Sequence, residues 1–408
     1  MKKEKIKKYS FPAILFGLTI FCIFLSFDGS FTIQSIFYVI LLALLYFCIN
    51  KSRKIQLLKE GKYLFLLNLV YLISLLFNSI LHGIEFYSII QILYHIFIFI
   101  WFILMTQNDF SKKELRFFVD GIVLFSVISA IIILIGNLSG KTAFFSIETI
   151  WGITMNKNHF AVWISLGVIL SFYCILYSSN KFRYIASFLI VIVSMLFMNS
   201  RGAILSTAIC CLLIFFQFFF SKGFNFKKVM LVLLVIISAI LLYKPLIRIT
   251  PRWLYNRYFV NSYQDSSNID RISRWENGID GLLNSPIIGY GPGIFITIPK
   301  YQVTDYGRQI PSSTPTHNTF LDVAIDGGII GLILFLVFIF SSFHKVIFKY
   351  KIYYPLLIHF IINSMILGMG KTVYFWNMII FIILLSKYSE NSKDNNIFTG
   401  GINHNERI

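Results

Sequence analysis

The chain has 408 residues, is 57% hydrophobic and only 13% charged, and carries a formal net charge of +18. A soluble domain would be about a quarter charged, and apolar runs of about 20 residues, enough to cross a bilayer, recur along its length. Composition thus excludes a soluble globular protein, and without alternating strand patterns it also excludes an outer-membrane barrel; it predicts an all-α polytopic membrane protein. The charge predicts no nucleic-acid partner, because most Lys and Arg lie in short loops beside apolar runs, where they set orientation.

The first residues are basic, from Lys2 to Lys8, and an apolar run starts at Phe11. It lacks a small-residue cleavage site, so it reads as a first span and not as a removed signal peptide. About twelve spans follow from hydropathy, near 11–27, 31–49, 62–81, 86–105, 117–136, 159–177, 184–199, 203–220, 229–247, 318–340, 353–369 and 373–386. With the N-terminus in the cytoplasm, segments such as 50–61, 106–116, 221–228 and 341–352 fall inside and hold the basic residues. The outer turns 28–30 and 82–85 have no Lys or Arg. That is the positive-inside pattern, and an even count returns the C-terminus to the cytoplasm. The expected divisions are 1–247 (nine spans), 248–317 (a long extracytoplasmic loop), 318–386 (three spans) and 387–408 (a disordered tail). Cys22, Cys48, Cys174, Cys210 and Cys211 all lie in apolar runs, which suits neither a disulfide framework nor a zinc site.

Polar residues gather outside the spans. Within the long loop, Ile272, Trp275, Ile279, Leu282 and Leu283 recur at helical spacing, predicting an amphipathic helix over 270–283 on the outer membrane surface. Pro286 ends it, and Gly289, Gly291 and Gly293 predict a flexible turn. Two shorter outer features are the segment 137–158 and the turn Asn199–Gly202.

Arg201 stands alone between two apolar helices, where it is either a functional residue or a snorkelling anchor. Arg271 and Arg274 are three apart and share a helix face. Paired guanidiniums suit a phosphate; the plain alternative is a solvated face with Asp270, Glu276 and Asp280 as partners. His317 stands before Asn318 at the mouth of a span, as a general base or a capping residue. His95 with Gln91, and His359 with Asn363, lie mid-span and predict interhelical hydrogen bonds. Asp322 and Asp326, one turn apart below His317, read as polar lining of an outer cavity, with orienting the histidine or binding a cation as the alternatives. No Walker loop, paired Asp-x-Asp metal site or nucleotide fingerprint is present, so no cofactor and no metal is expected.

Four stretches together resemble the O-antigen polymerase and O-antigen ligase superfamily of bacterial surface polysaccharide assembly. They are Asn156-Lys157-Asn158-His159-Phe160-Ala161, Ser200-Arg201-Gly202-Ala203, Arg271-Ile272-Ser273-Arg274-Trp275 followed by Pro286-Ile287-Ile288-Gly289-Tyr290-Gly291, and His317-Asn318 followed by Gly328-Ile329-Ile330-Gly331. Lys157 departs from the proline usual there. The resemblance implies a fold like the GT-C membrane glycosyltransferases, at the outer face of the bacterial cytoplasmic (inner) membrane. The implied donor is a glycan on undecaprenyl diphosphate, and the acceptor is a sugar hydroxyl of another glycan. Arg201 and Arg271 would hold the diphosphate, and His317 would be the essential histidine. Arg274, Asn158, Asn318 and Tyr290 are the expected substrate contacts. Membrane lipid is implied as a partner, and a chain-length regulator is a further candidate.

The chemistry agrees with this. A lipid diphosphate leaving group needs charge stabilisation, which arginines supply without a metal, and no pair of carboxylates suggests a hydrolase. A lipid A core ligase would use the same arginines and histidine; the expectation is a repeat-unit polymerase, because such polymerases are diverse and one accompanies each polysaccharide locus, with ligation to lipid A core as the alternative. A lipid-linked glycan transporter is the second class, but it would carry repeated halves and polar midplane segments.

Overall fold

In a computed structural model, the described residues are 12, 14–17, 58–83, 86–138, 149–150, 153–154, 157–198, 200–221, 230, 266–297, 301–303, 309–311, 316–370, 372–392 and 397–398. Among them the helices are α1 (Lys59–His82), α2 (Phe86–Thr106), α3 (Lys112–Leu138), α4 (Lys157–Tyr177), α5 (Phe182–Met198), α6 (Arg201–Phe220), α7 (Ser266–Asn284), α8 (Ile294–Thr297), α9 (Thr319–Phe348), α10 (Tyr354–Ile366) and α11 (Val373–Asn391). Two antiparallel pairings interrupt them: β1 (Thr149–Ile150) with β2 (Ile153–Thr154), and β3 (Tyr301–Val303) with β4 (Gln309–Pro311). Helices α1, α2, α3, α4, α6 and α9 are long and apolar enough to cross a membrane, and α5 and α10 are shorter apolar helices. The chain is a polytopic helical membrane protein.

The predicted span near 31–49, that near 229–247 apart from residue 230, and most of 11–27 lie outside the described residues, as do Cys22 and Cys48. Elsewhere apolar runs become helices with ends set by local chemistry. Gly83, with φ 79°, closes α1 by donating to Ser79 O at 2.9 Å. Pro355 opens α10, where its missing N–H costs nothing. Thr372 caps α11 by accepting from Phe375 N.

Packing follows the residues each helix offers. A side chain at Gly167 of α4 would come within 2.2 Å of Ser126 Oγ on α3, so two small residues let these helices close up. Trp101 of α2 donates to Asn377 Oδ1 of α11 at 3.0 Å. Deep in the bundle, His359 of α10 lies 3.3 Å from Ser165 Oγ of α4, 3.4 Å from Ser206 Oγ of α6 and 3.1 Å from the Tyr374 hydroxyl of α11. This is the interhelical bonding expected of it. His95 packs its ring on Tyr71 and Tyr94.

Three expectations change. The span expected at 318–340 runs to Phe348 but is broken at Gly328. The helix expected at 373–386 continues to Asn391. The tail is not disordered throughout, since Ile397 and Phe398 are buried, and Phe398 stacks on Tyr173 at 4.4 Å and 7°.

Candidate functional site

The break in α9 organises one end of the bundle. In an unbroken helix, the N–H groups of Ile329 and Ile330 would bond the carbonyls of Ile325 and Asp326. Gly328, with φ 62° and ψ −164°, separates them. Ile329 N donates instead to Pro286 O at 2.8 Å and Ile330 N to Ile287 O at 3.3 Å. In return, Ile325 O and Asp326 O accept from Tyr290 N at 2.9 Å and Gly291 N at 2.8 Å. The segment after α7 therefore completes the helix it interrupts. Unpaired backbone groups at membrane depth are costly, and irregular backbone survives there only when protein satisfies it.

Glycine is required where these strands of backbone touch. A Cβ on Gly328 would sit 2.2 Å from Ile287 O, and one on Gly289, which has φ 69°, 2.4 Å from Gly328 N. The turn read from sequence as flexible is thus a fixed latch. Helix α1 closes it from the other side: Asn78 Nδ2 donates to Gly289 O at 2.9 Å and Ser74 Oγ donates to Ile288 O.

The latch tethers α7. That helix turns its small face inward, with Ser273, Asn277, Gly278 and Gly281 buried. A side chain at Gly278 would meet Leu321 and Thr316, both at 2.8 Å, so the helix lies against the start of α9. The apolar stripe faces out: Ile272 is 54%, Ile279 50% and Leu283 69% exposed. The predicted amphipathicity is present, and the surface that packs on protein is the non-apolar one.

His317 sits where α9 begins. Its φ is 57°, in the left-handed region, which histidine enters more readily than most residues and which often marks functional positions. The flanking residues hold this conformation. Asn318 Oδ1 caps α9 by accepting from Phe320 N at 3.0 Å and Leu321 N at 3.2 Å. Asp322 Oδ1 accepts from Thr316 N at 3.1 Å and Thr316 Oγ1 at 2.8 Å, so Asp322 ties down the loop. From below, Thr319 Oγ1 donates to Leu367 O and accepts from Met369 N, both at 2.9 Å. A Cβ on Gly368 would be 3.8 Å from His317 Cα.

The imidazole of His317 is half-buried. Burial, then the charges of Arg274, His159 and Arg271, push its pKa down to about 4. At neutral pH it is uncharged and can accept a proton. Those neighbours identify the group: α7 brings Arg271 and Arg274, and the first turn of α4 brings His159.

The structure thus brings together His317, Arg271 and Arg274. Asn158 adjoins His159 in the first turn of α4. Arg201 is the first residue of α6. A Cβ on the adjacent Gly202 would be 2.4 Å from Ile366 Cδ1, just before the turn that braces His317, so Arg201 lies at the same end of the bundle. Asn318 is there too, its carbonyl oxygen engaged in the cap. Tyr290 is buried, 7% exposed, and packs on Phe295 at 5.5 Å, with burial raising its hydroxyl pKa.

Sequence reasoning missed two contributors. His159 was signalled only by its place beside Asn158. Asn78 had no local signal at all, being far away in the chain.

No match to the chain was found among curated proteins. Residues 186–336, from within α5 to within α9, match the family model described as O-antigen ligase. That span contains Arg201, Arg271, Arg274, Tyr290, His317 and Asn318, and over it the chain is similar to that O-antigen ligase family.

Proposed function

We propose that the protein polymerises undecaprenyl-diphosphate-linked oligosaccharide repeat units into O-antigen or capsular polysaccharide. The observation that carries this reading is a neutral, half-buried His317 grouped with the cations of Arg271 and Arg274. An acceptor hydroxyl attacks the anomeric carbon of the donor and passes its proton to His317. The bond to the diphosphate oxygen breaks with inversion, and guanidinium charge from Arg271, Arg274 and Arg201 receives the lipid diphosphate as it departs. Asn158 and the amide nitrogen of Asn318 contact sugar. The frame is about twelve spans in a GT-C-like arrangement, with a long outer loop over 248–317, both termini in the cytoplasm and the site on the outer face of the inner membrane.

A second reading, transfer of finished glycan to lipid A core, is favoured by the description of the matched family. Deleting the gene and running surface glycan on a gel separates the two. Lipid A core capped with a single repeat supports polymerisation; bare lipid A core with polymer held on the lipid carrier supports ligation. An unchanged ladder sinks both. Restoring the gene as His317→Ala should reproduce the deletion, with transfer reduced about 10²–10⁴-fold at normal membrane insertion.

A further inference from the structure

Arg271 and Arg274 lie on α7 and His317 just before α9, so their alignment depends on whatever holds α7 to α9. The four latch hydrogen bonds supply that hold, and two side chains of α1, Ser74 on Ile288 O and Asn78 on Gly289 O, clamp the latch from outside it. Asn78 is 4% exposed; its amide also donates to Ser74 O of its own helix at 3.0 Å, which aims it at Gly289 O at 2.9 Å. Gly291 passes so close to α1 that a Cβ there would be 2.6 Å from Leu75 N. The clamp and the close approach are on the same face of α1.

We propose that Asn78 is a positioning residue for the glycosyl-transfer site: through Gly289 it fixes the latch, and through the latch it holds the arginine helix α7 against His317. This rests on the transfer reading given above. Asn78 touches no substrate, so its removal alters alignment and leaves the reacting groups in place.

The test compares Asn78→Leu, which keeps the shape and loses the donor, with Asn78→Asp as a second variant should the first fail to insert. Asn68→Ala is the control, because among the described residues Asn68 donates within its own helix, to Leu64 O at 2.8 Å. Hydrogen exchange on the full-length protein in nanodiscs reads the latch without reference to activity. Peptides covering 286–291 and 327–331 should exchange about tenfold faster or more in the Asn78 variants, with 354–366 unchanged; Asn68→Ala should match the parent. Unchanged exchange in the latch, or an equal rise in every helix, overturns the proposal.

The second readout is kcat/KM against pH, with an undecaprenyl-diphosphate-linked glycan as donor. The groups facing His317 are Arg271 and Arg274 from α7, His159 from α4, and Asp322 beneath it. Loosening α7 weakens the first two. Transfer should fall about tenfold or more, and up to about 10²-fold, and its acid limb should move up toward ~6.5, where histidine ordinarily titrates. A looser latch with unaltered rate and limb makes Asn78 merely structural and overturns the proposal. If the parent protein transfers nothing, the transfer reading and this role in it both fall; the exchange data would still report on the latch.

Discussion

The two ends of the bundle are held by different means. At the histidine end, α9 is joined to the segment after α7 through backbone: Tyr290, Gly291, Ile329 and Ile330 donate and four main-chain carbonyls accept. At the opposite end the ties are side chains. Arg183 bridges to Asp120 at 3.2 Å. Arg116 donates to the Tyr184 hydroxyl at 2.7 Å, to Ser178 Oγ at 3.2 Å and to Phe398 O at 3.2 Å, and Lys387 pairs with Asp109 at 2.8 Å. At that end Arg116 and Arg183 tie helices through their guanidiniums, whereas at the histidine end main chain and close-packed glycines join α9 to the segment after α7.

The sharpest way to break this comparison is Gly328→Leu. The new side chain would collide with Ile287 O and impose a positive φ on a branched residue, at a cost of about 3 kcal/mol or more. A detergent melt should show the loss, and transfer should be lost with it. Phe398→Ala tests the other end. Removing a fully buried ring should cost about 3 kcal/mol while transfer per folded molecule stays at the parental rate; a slowed turnover would show the two ends to be coupled.

The charge arrangement gives a third test. His317 is neutral above about 4, so transfer should persist through mildly acidic pH and fail as pH drops through that value. Arg274→Gln removes one repulsion on the imidazolium, raising the pKa, so the acid limb moves up. The sign for stability agrees. The depressed native pKa means that the unfolded chain, titrating near ~6.5, takes up the proton first, and stability declines as pH falls from there through about 4. The smallest effect belongs to Asp120→Asn. Its bridge to Arg183 is exposed, 33% and 53% on the two sides, so its loss should cost about 0.2–1 kcal/mol and shrink further in high salt.

Much of this was legible from sequence because it is local. Apolar run length marked the helices, and spacing put Arg271 and Arg274 on one face of α7. The adjacency of His317 and Asn318 marked the start of α9, although one residue is the candidate base and the other the cap. The latch was not legible. Gly289 and Gly291 look like a flexible turn until residues 325–330 are beside them, since backbone pairing between distant segments leaves no periodicity. The same limit hid Asn78. The outward stripe on α7 misled differently: spacing reveals an apolar face, but it does not say that protein packs on the other one.

The latch also orders events during synthesis. A chain growing from its N-terminus has made Asn78, Arg201, Arg271 and Arg274 before any of residues 325–330 exists, and until those emerge Pro286–Gly291 has no partner. The arginine helix takes its final seat only when α9 arrives, so the histidine, its neighbouring cations and the frame that aligns them come together in a single late step. An unfinished chain carries the arginines without the site.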